Sequence, residues 1–410
     1  MISIVAILAV SIGLFKYGKK FYLLIPFISL IIDLLLAYFQ PTPINVNVKE
    51  AILLIVILVA YNRNIINLYI IIKIFLIFII FLIFVSPTAT GNTYKEWVSI
   101  FTNLMLFQLG IDYYYKYISV EILLKVSRWM LSFGILIFFI FQFTPFQPIQ
   151  NYGYTDEVIM GSLTGFGVLF IPFNILFILV SVLNKKYKMV KYDIAIILIG
   201  ISTLIIITNR TALLATVIGL TVYIILDGRM LKRFFKLILF LPIIFLLLYL
   251  NQDLLLASFE ARQQKFESVQ VIENEERYME YFFLYQERVN SEISVLLTGE
   301  NIFKSKDYFG SRYFYRPRPL HSDFNELFYG AGVIGLLIYL LVLFVIFVEL
   351  LGIRKKFNDT YLNLSISFII MIFLINISGG GLRFITTVGF AYLVIGSVIG
   401  SFKKKGENKT

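Results

Sequence analysis

Cysteine is absent from the 410-residue chain, so no disulfide, thiolate nucleophile or cysteine-based metal centre can belong to its chemistry. Histidine occurs once, which removes metal sites that need an imidazole pair, including His-Glu-x-x-His. The glycine loop that precedes Lys-Ser/Thr in nucleotide hydrolases is missing as well. Charge is scarce: 15% of residues are charged against 59% hydrophobic and 17% aromatic, and the mean hydropathy is +0.85. A soluble domain cannot cover its surface with so little polar material, so the chain belongs in a bilayer.

What the sequence does have is apolar runs. Phe21 to Phe39, Ile65 to Ser86, Ile122 to Phe146, Ile159 to Leu183 and Phe324 to Leu350 each approach or exceed the roughly 20 residues a membrane-spanning helix needs. Ile2 to Phe15, Ala51 to Tyr61 and Ile194 to Thr208 are shorter, and about 12 to 15 apolar residues also suit a re-entrant or interfacial piece. The first of these has no basic region before it and no small-residue cleavage site after it, which predicts a retained helix rather than a signal peptide.

The formal charge of +11 is distributed in a way that speaks against nucleic acid. Basic residues recur at alternate helix junctions: Lys16, Lys19 and Lys20; Arg63; Lys116, Lys125 and Arg128; Lys185 to Lys191. The series continues with Arg229 to Lys236, Arg354 to Lys356 and Lys403 to Lys405, while the intervening junctions are nearly neutral or acidic. This is the positive-inside pattern. It predicts an all-α, polytopic membrane bundle of about 12 to 13 transmembrane helices, with the N-terminus outside and the C-terminus in the cytoplasm. No internal repeat or linker divides residues 1–410, so a single membrane domain is expected.

One connection is long. Residues 251–323 lie between two helices on the extracytoplasmic side by this alternation, and loops of such length are usually functional. Within it, Tyr278, Phe282, Tyr285 and Val289 fall at helical spacing with glutamates at other positions, which predicts an amphipathic helix lying on the bundle or at the interface. Further on, Lys304, Lys306, Arg312, Arg316 and Arg318 face only Asp307 in charge count. The positive-inside bias cannot explain basic residues on the outer face, so they point to an anionic ligand, with a solvated charge run as the bland alternative.

Three further positions stand out. Arg210 sits between two apolar helices with almost no loop, so its guanidinium either snorkels to headgroups or points into the bundle toward an anion. His321, followed by Ser322 and Asp323, precedes the helix that begins near Phe324, where free N–H groups and partial positive charge collect. Its imidazole can exchange a proton near neutrality. Arg383 follows three glycines in "ISGGGLRFITT", a short outer-side junction whose backbone can approach a ligand or simply turn. Lys73, Arg128 and Glu349 lie in or beside apolar runs and are expected to snorkel toward the cytoplasm; the pattern offers no account of Asp33.

The stretch "HSDFNELFYGAGVIGLLIYL" resembles the C-terminal hallmark of the O-antigen ligase and polymerase superfamily, a histidine followed by a polar residue, an aromatic and a Gly-x-x-Gly helix. "TNRTALLATVIGL" is similar to that family's arginine-bearing junction, and "ERYMEYFFLYQERVNSEISVLLTGENIF" to its loop helix and glycine turn. Ser322 stands where the family more often has Asn, and Asn209 where it often has Ser. The likeness covers about residues 194–341; the N-terminal half matches only as a series of membrane helices.

The resemblance implies a GT-C-like, metal-independent membrane glycosyltransferase without cofactors in the bacterial inner (cytoplasmic) membrane, its site on the extracytoplasmic side. Its substrate would be an undecaprenyl-diphosphate-linked saccharide, and a chain-length regulator protein is a further candidate partner. Arg210 would stabilise the departing diphosphate, assisted by Arg312, Arg316, Arg318 and Arg383, while His321 would orient or deprotonate the attacking hydroxyl or contact the diphosphate. A polymerase of repeat units is the preferred expectation; ligation to lipid A core or protein, a cell-wall polymerase, and a lipid-linked oligosaccharide flippase are the alternatives.

Overall fold

The computed structural model describes residues 23–38, 91–113, 119–143, 168–184, 192–207, 209–228, 276–300, 302–305, 309–314, 320–382 and 384–407, with isolated positions in 73–80 and 242–256. Every regular element among the described residues is helical. In chain order these are α1 (Ile25–Tyr38), α2 (Gly91–Tyr113), α3 (Val120–Phe143), α4 (Phe170–Leu183), α5 (Tyr192–Ile207) and α6 (Arg210–Leu226). There follow α7 (Glu276–Val289), α8 (Ile293–Thr298), α9 (Ser311–Phe314), α10 (Asp323–Lys356), α11 (Thr360–Ser378) and α12 (Ile385–Glu407). Four segments are long and apolar enough to cross a membrane: Val120–Ile140, Asp323–Lys356, Thr360–Ser378 and Ile385–Lys403. The chain is therefore a helical membrane protein. The expected segments Ile2 to Phe15 and Ala51 to Tyr61 lie outside the described residues, as does the side chain of Asp33.

α12 is the hub, its apolar window wholly buried among other helices. It is clasped by α2, where a Cβ on Gly396 or Gly400 would collide with the carbonyls of Phe107 and Ile111, and one on Gly110 would strike the α12 backbone. Spacing Gly396-x-x-x-Gly400 lets the two backbones touch, the usual device where helices gain nothing from squeezing out water. Such contact explains why α2, polar enough to fall outside the apolar runs, is buried: Asn103 Nδ2 donates to the Leu382 carbonyl at 3.2 Å and Gln108 to Asp112 at 3.0 Å.

α6 and α11 pack antiparallel. Their register is fixed at one end, where the Leu226 carbonyl accepts from Arg354 Nη2 (3.1 Å) and Asn363 Nδ2 (3.5 Å), and midway, where Gly219 faces Met371. At about 1.5 Å per residue, the same register carries Arg210 to the level of Ser378 to Gly380. Arg354–Lys356 and Lys403 gather at one end of the bundle, the basic end.

Two of the charges expected to snorkel are paired instead. Arg128 is buried and grips Asp193 on α5 through Nε and Nη2, both at 2.6 Å, because a guanidinium fork matches a carboxylate and a solvent-seeking side chain would leave Asp193 stranded. Glu349 lies 3.5 Å from Lys403. Lys73 is exposed.

α10 is not one straight rod. At Gly332 the backbone takes φ 62° and ψ −166°, a conformation glycine tolerates and other residues do not. Fifteen residues of straight helix would separate Phe324 from Tyr339 by about 22 Å, yet their rings lie 6.3 Å apart. Residues 323–331 therefore form a half-helix that folds back beside 333–356. The reversal is filled by the turn after α8: a Cβ on Gly299 or Gly332 would strike the backbone of the other segment.

Candidate functional site

His321 opens the re-entrant half-helix, and three elements converge on it. Ser322 is the N-cap, its hydroxyl accepting from the Asn325 N–H at 3.4 Å and donating to the Asn376 carbonyl of α11 at 3.2 Å. Asp323 is fully buried and accepts from the N–H groups of Gly381 (2.7 Å) and Leu382 (3.0 Å), which nails the glycine turn after α11 to the half-helix. Asn376 in turn donates to the Tyr339 hydroxyl at 2.9 Å.

The third element is α7, which supplies Glu280. This carboxylate is 1% exposed and collects three donors: the His321 backbone N–H (3.0 Å) and Asn325 Nδ2 (3.1 Å) on Oε1, and His321 Nδ1 on Oε2 at 3.1 Å. Burial pushes the Glu280 carboxyl up, but the hydrogen bonds from His321 and Asn325, with the ring's charge, outweigh it and hold the group below the ordinary carboxylate value. Glu280 is thus an anion at neutral pH. An anionic carboxylate only accepts, so Nδ1 carries the ring proton, and in the neutral imidazole the lone pair is on Nε2. The His321 side chain is 35% exposed.

α7 is anchored at its other end by Arg288. Its guanidinium is buried, donates to the Tyr329 carbonyl at 2.7 Å, lies 4.5 Å over the Tyr329 ring and 3.5 Å from Glu300. The Tyr329 carbonyl also accepts from the Glu300 N–H at 3.1 Å. Because the half-helix stops at Gly332, its last carbonyls lack intrahelical partners, and a cation at that negative end is the favourable cap.

Of the two placements the apolar stripe allowed, against the bundle or at the interface, it does not face the bundle. Phe282, Tyr285 and Val289 are exposed by 46%, 66% and 58%, while Glu280, Leu284 and Arg288, spaced four apart, form the buried face. Tyr278 has no described side chain. The physical reason is that half-helix 323–331 offers polar partners at both ends, which only Glu280 and Arg288 can satisfy.

Among the expected cations, Arg210 is exposed at the first turn of α6, behind Asn209, whose side chain caps that helix by accepting from the Ala212 N–H at 3.0 Å. The α6–α11 register puts it at the same end of the bundle as His321. Arg312 is exposed by 68%, lies 3.9 Å from Glu287 of α7 and 5.4 Å from the Tyr313 ring, so a carboxylate already faces it. Arg316, Arg318 and Arg383 lie outside the described residues, though Leu382, one residue before Arg383, is held by Asp323. Asn209 and Ser322 both serve as helix N-caps, a task Ser and Asn perform equally well.

Glu280 and Arg288 were not singled out by the sequence. Their signal was there: opposite charges at i and i+8 around Leu284 put two ionisable groups on one helix face. No protein-family model, curated protein or solved structure matches this chain.

Proposed function

We propose that the protein is a membrane glycosyltransferase that polymerises undecaprenyl-diphosphate-linked oligosaccharide repeats on the extracytoplasmic face of the bacterial cytoplasmic membrane. The observation that carries this reading is the buried Glu280 carboxylate set against the part-exposed His321 ring, at the end of the bundle that also presents Arg210.

In this mechanism His321 Nε2 takes the proton of an acceptor sugar hydroxyl as its oxygen attacks the anomeric carbon of the donor. The bond from that carbon to the diphosphate oxygen breaks, and the diphosphate leaves with the electron pair. Glu280 holds the ring in the Nδ1–H tautomer and stabilises the imidazolium that forms. Arg210 offsets the charge growing on the leaving group, with Arg312, Arg316, Arg318 and Arg383 as auxiliary cations. Placing the site opposite the basic end agrees with the charge asymmetry along the chain.

The test is incubation of purified protein with a defined lipid-linked repeat, with and without a lipid-core acceptor. A ladder of products that disappears in Arg210→Ala and His321→Ala supports the polymerase. Product only when core acceptor is present makes it a ligase. In cells, loss of surface glycan of every length, single repeats included, in those variants makes it a flippase and overturns the transferase reading.

A further inference from the structure

Depth along the bundle can be read from the helix rise. From Arg354 at the basic end, Tyr339 is 15 residues and Gly332 is 22 residues up α10, or about 22 and 33 Å. On α11, Asn376 stands 13 residues from Asn363, the partner of Arg354, or about 20 Å, and it bonds Tyr339. The two scales agree. A hydrocarbon core is about 30 Å thick, so the level of Asn376 and Ser322 is about 10 Å short of its far edge, and Gly332 marks that edge.

α7 runs beside the half-helix over this same interval. Glu280 meets His321 and Asn325, and eight residues on Arg288 meets Tyr329, eight residues on from His321. Independently, the Tyr281 hydroxyl donates to the Ile377 carbonyl at 3.3 Å, and the turn after α8 lies against Gly332. α7 and α8 thus occupy the upper third of the membrane span rather than the water above it.

Their surface chemistry says what covers them. From Glu280 to Val289 the charged side chains all turn inward: Glu280 and Arg288 are buried, and the Glu287 side chain is 12% exposed. The outer arc carries Tyr281, Phe282, Tyr285 and Val289 with Gln286 among them, and beyond the exposed Asn290 and Glu292 of the connecting turn α8 carries Ile293 (76% exposed) and Leu297 (41%), with Ser294 also exposed. A helix facing water shows the opposite arrangement. The stripe is also continuous with neighbours of the same character: Leu297 adjoins Gly332, after which Ile334, Leu337, Leu341, Phe344 and Val348 are exposed down the face of α10. Ile377, whose carbonyl receives Tyr281, is 42% exposed on the other side.

We propose that the outer face of α7 and α8 is embedded among the lipid acyl chains of the leaflet opposite the basic end. This rests on depth, exposure and charge and does not require the glycosyl-transfer reading.

The absence of cysteine makes the test direct, since one introduced thiol is the only one in the full-length protein. Phe282→Cys, Tyr285→Cys and Val289→Cys are each labelled with bimane and reconstituted in phosphatidylcholine/phosphatidylglycerol vesicles carrying doxyl groups on the upper acyl chain. Leu341→Cys serves as the lipid-facing reference and Lys356→Cys, exposed at the basic end, as the aqueous one. The expected result is doxyl quenching comparable to the Leu341 position and iodide quenching several-fold below the Lys356 position. Iodide quenching equal to the Lys356 position, with no doxyl effect, overturns the proposal. Shielding from both quenchers, with cross-linking between protein copies, overturns it in favour of a self-association face. Three separate positions keep the outcome readable if one variant fails to fold.

Discussion

At the basic end, charged side chains close on one another: Arg128 holds Asp193 through two bonds of 2.6 Å, Lys403 lies 3.5 Å from Glu349, and Arg354 ties α10 to α11 and to the end of α6. At the opposite end the buried Glu280 is aimed at a ring that stays 35% exposed, and Asp323 is spent on backbone N–H groups of a glycine turn. The contrast separates two uses of buried charge. Matched wholly inside, a charge is a clamp, and removing one partner strands the other. Matched to a part-exposed ring, it fixes which ring nitrogen carries the proton.

Substitutions break this comparison in order of size. His321→Ala should lower the rate of the proposed repeat polymerisation by about 10²- to 10⁴-fold, the usual worth of a positioned acid-base group, with the melting temperature in detergent little changed. Arg128→Ala should do the reverse, lowering stability by about 3–5 kcal/mol in denaturation while leaving the rate per folded molecule unchanged; an equal loss of rate would erase the distinction between the ends. Glu280→Gln keeps the shape but removes the charge, and the loss of a charge-assisted hydrogen bond of about 1.5–3 kcal/mol predicts about a 10- to 100-fold slower rate. Smallest should be Arg312→Ala, an exposed pair worth about 0–1 kcal/mol, read by the same melts.

pH sharpens the contrast further. The folded Glu280 carboxyl titrates below its ordinary value of 4.5, so the unfolded chain takes up this proton first as pH falls. Stability from the His321–Glu280 contact is therefore fully present above about pH 4.5 and fades as pH drops through the lower folded value. Melts of the native protein and Glu280→Gln should converge in that acid window and stay apart at neutrality.

Much of the helical framework is readable from the chain, because apolar runs such as Ile122 to Phe146 and Phe324 to Leu350 leave few other conformations in a bilayer. α2 escapes that reading: its Asn103 and Gln108 are polar, and only their partners, the Leu382 carbonyl and Asp112, make burial tolerable. The site divides in the same way. His321 is conspicuous as the sole imidazole, but its partner is 41 residues away on a helix whose apolar pattern fits the bundle and the interface equally. Hydrophobic periodicity names a face without saying whether core or lipid receives it.

Composition and charge order alone determined a membrane-embedded helical protein, since no folding of so apolar a chain could hide its surface from water. Only the tertiary structure decided that α10 turns back at Gly332 and that α7 presents its carboxylate to His321. Both depend on contacts between segments far apart in sequence, where a single positive φ and a buried hydrogen bond outweigh local preference.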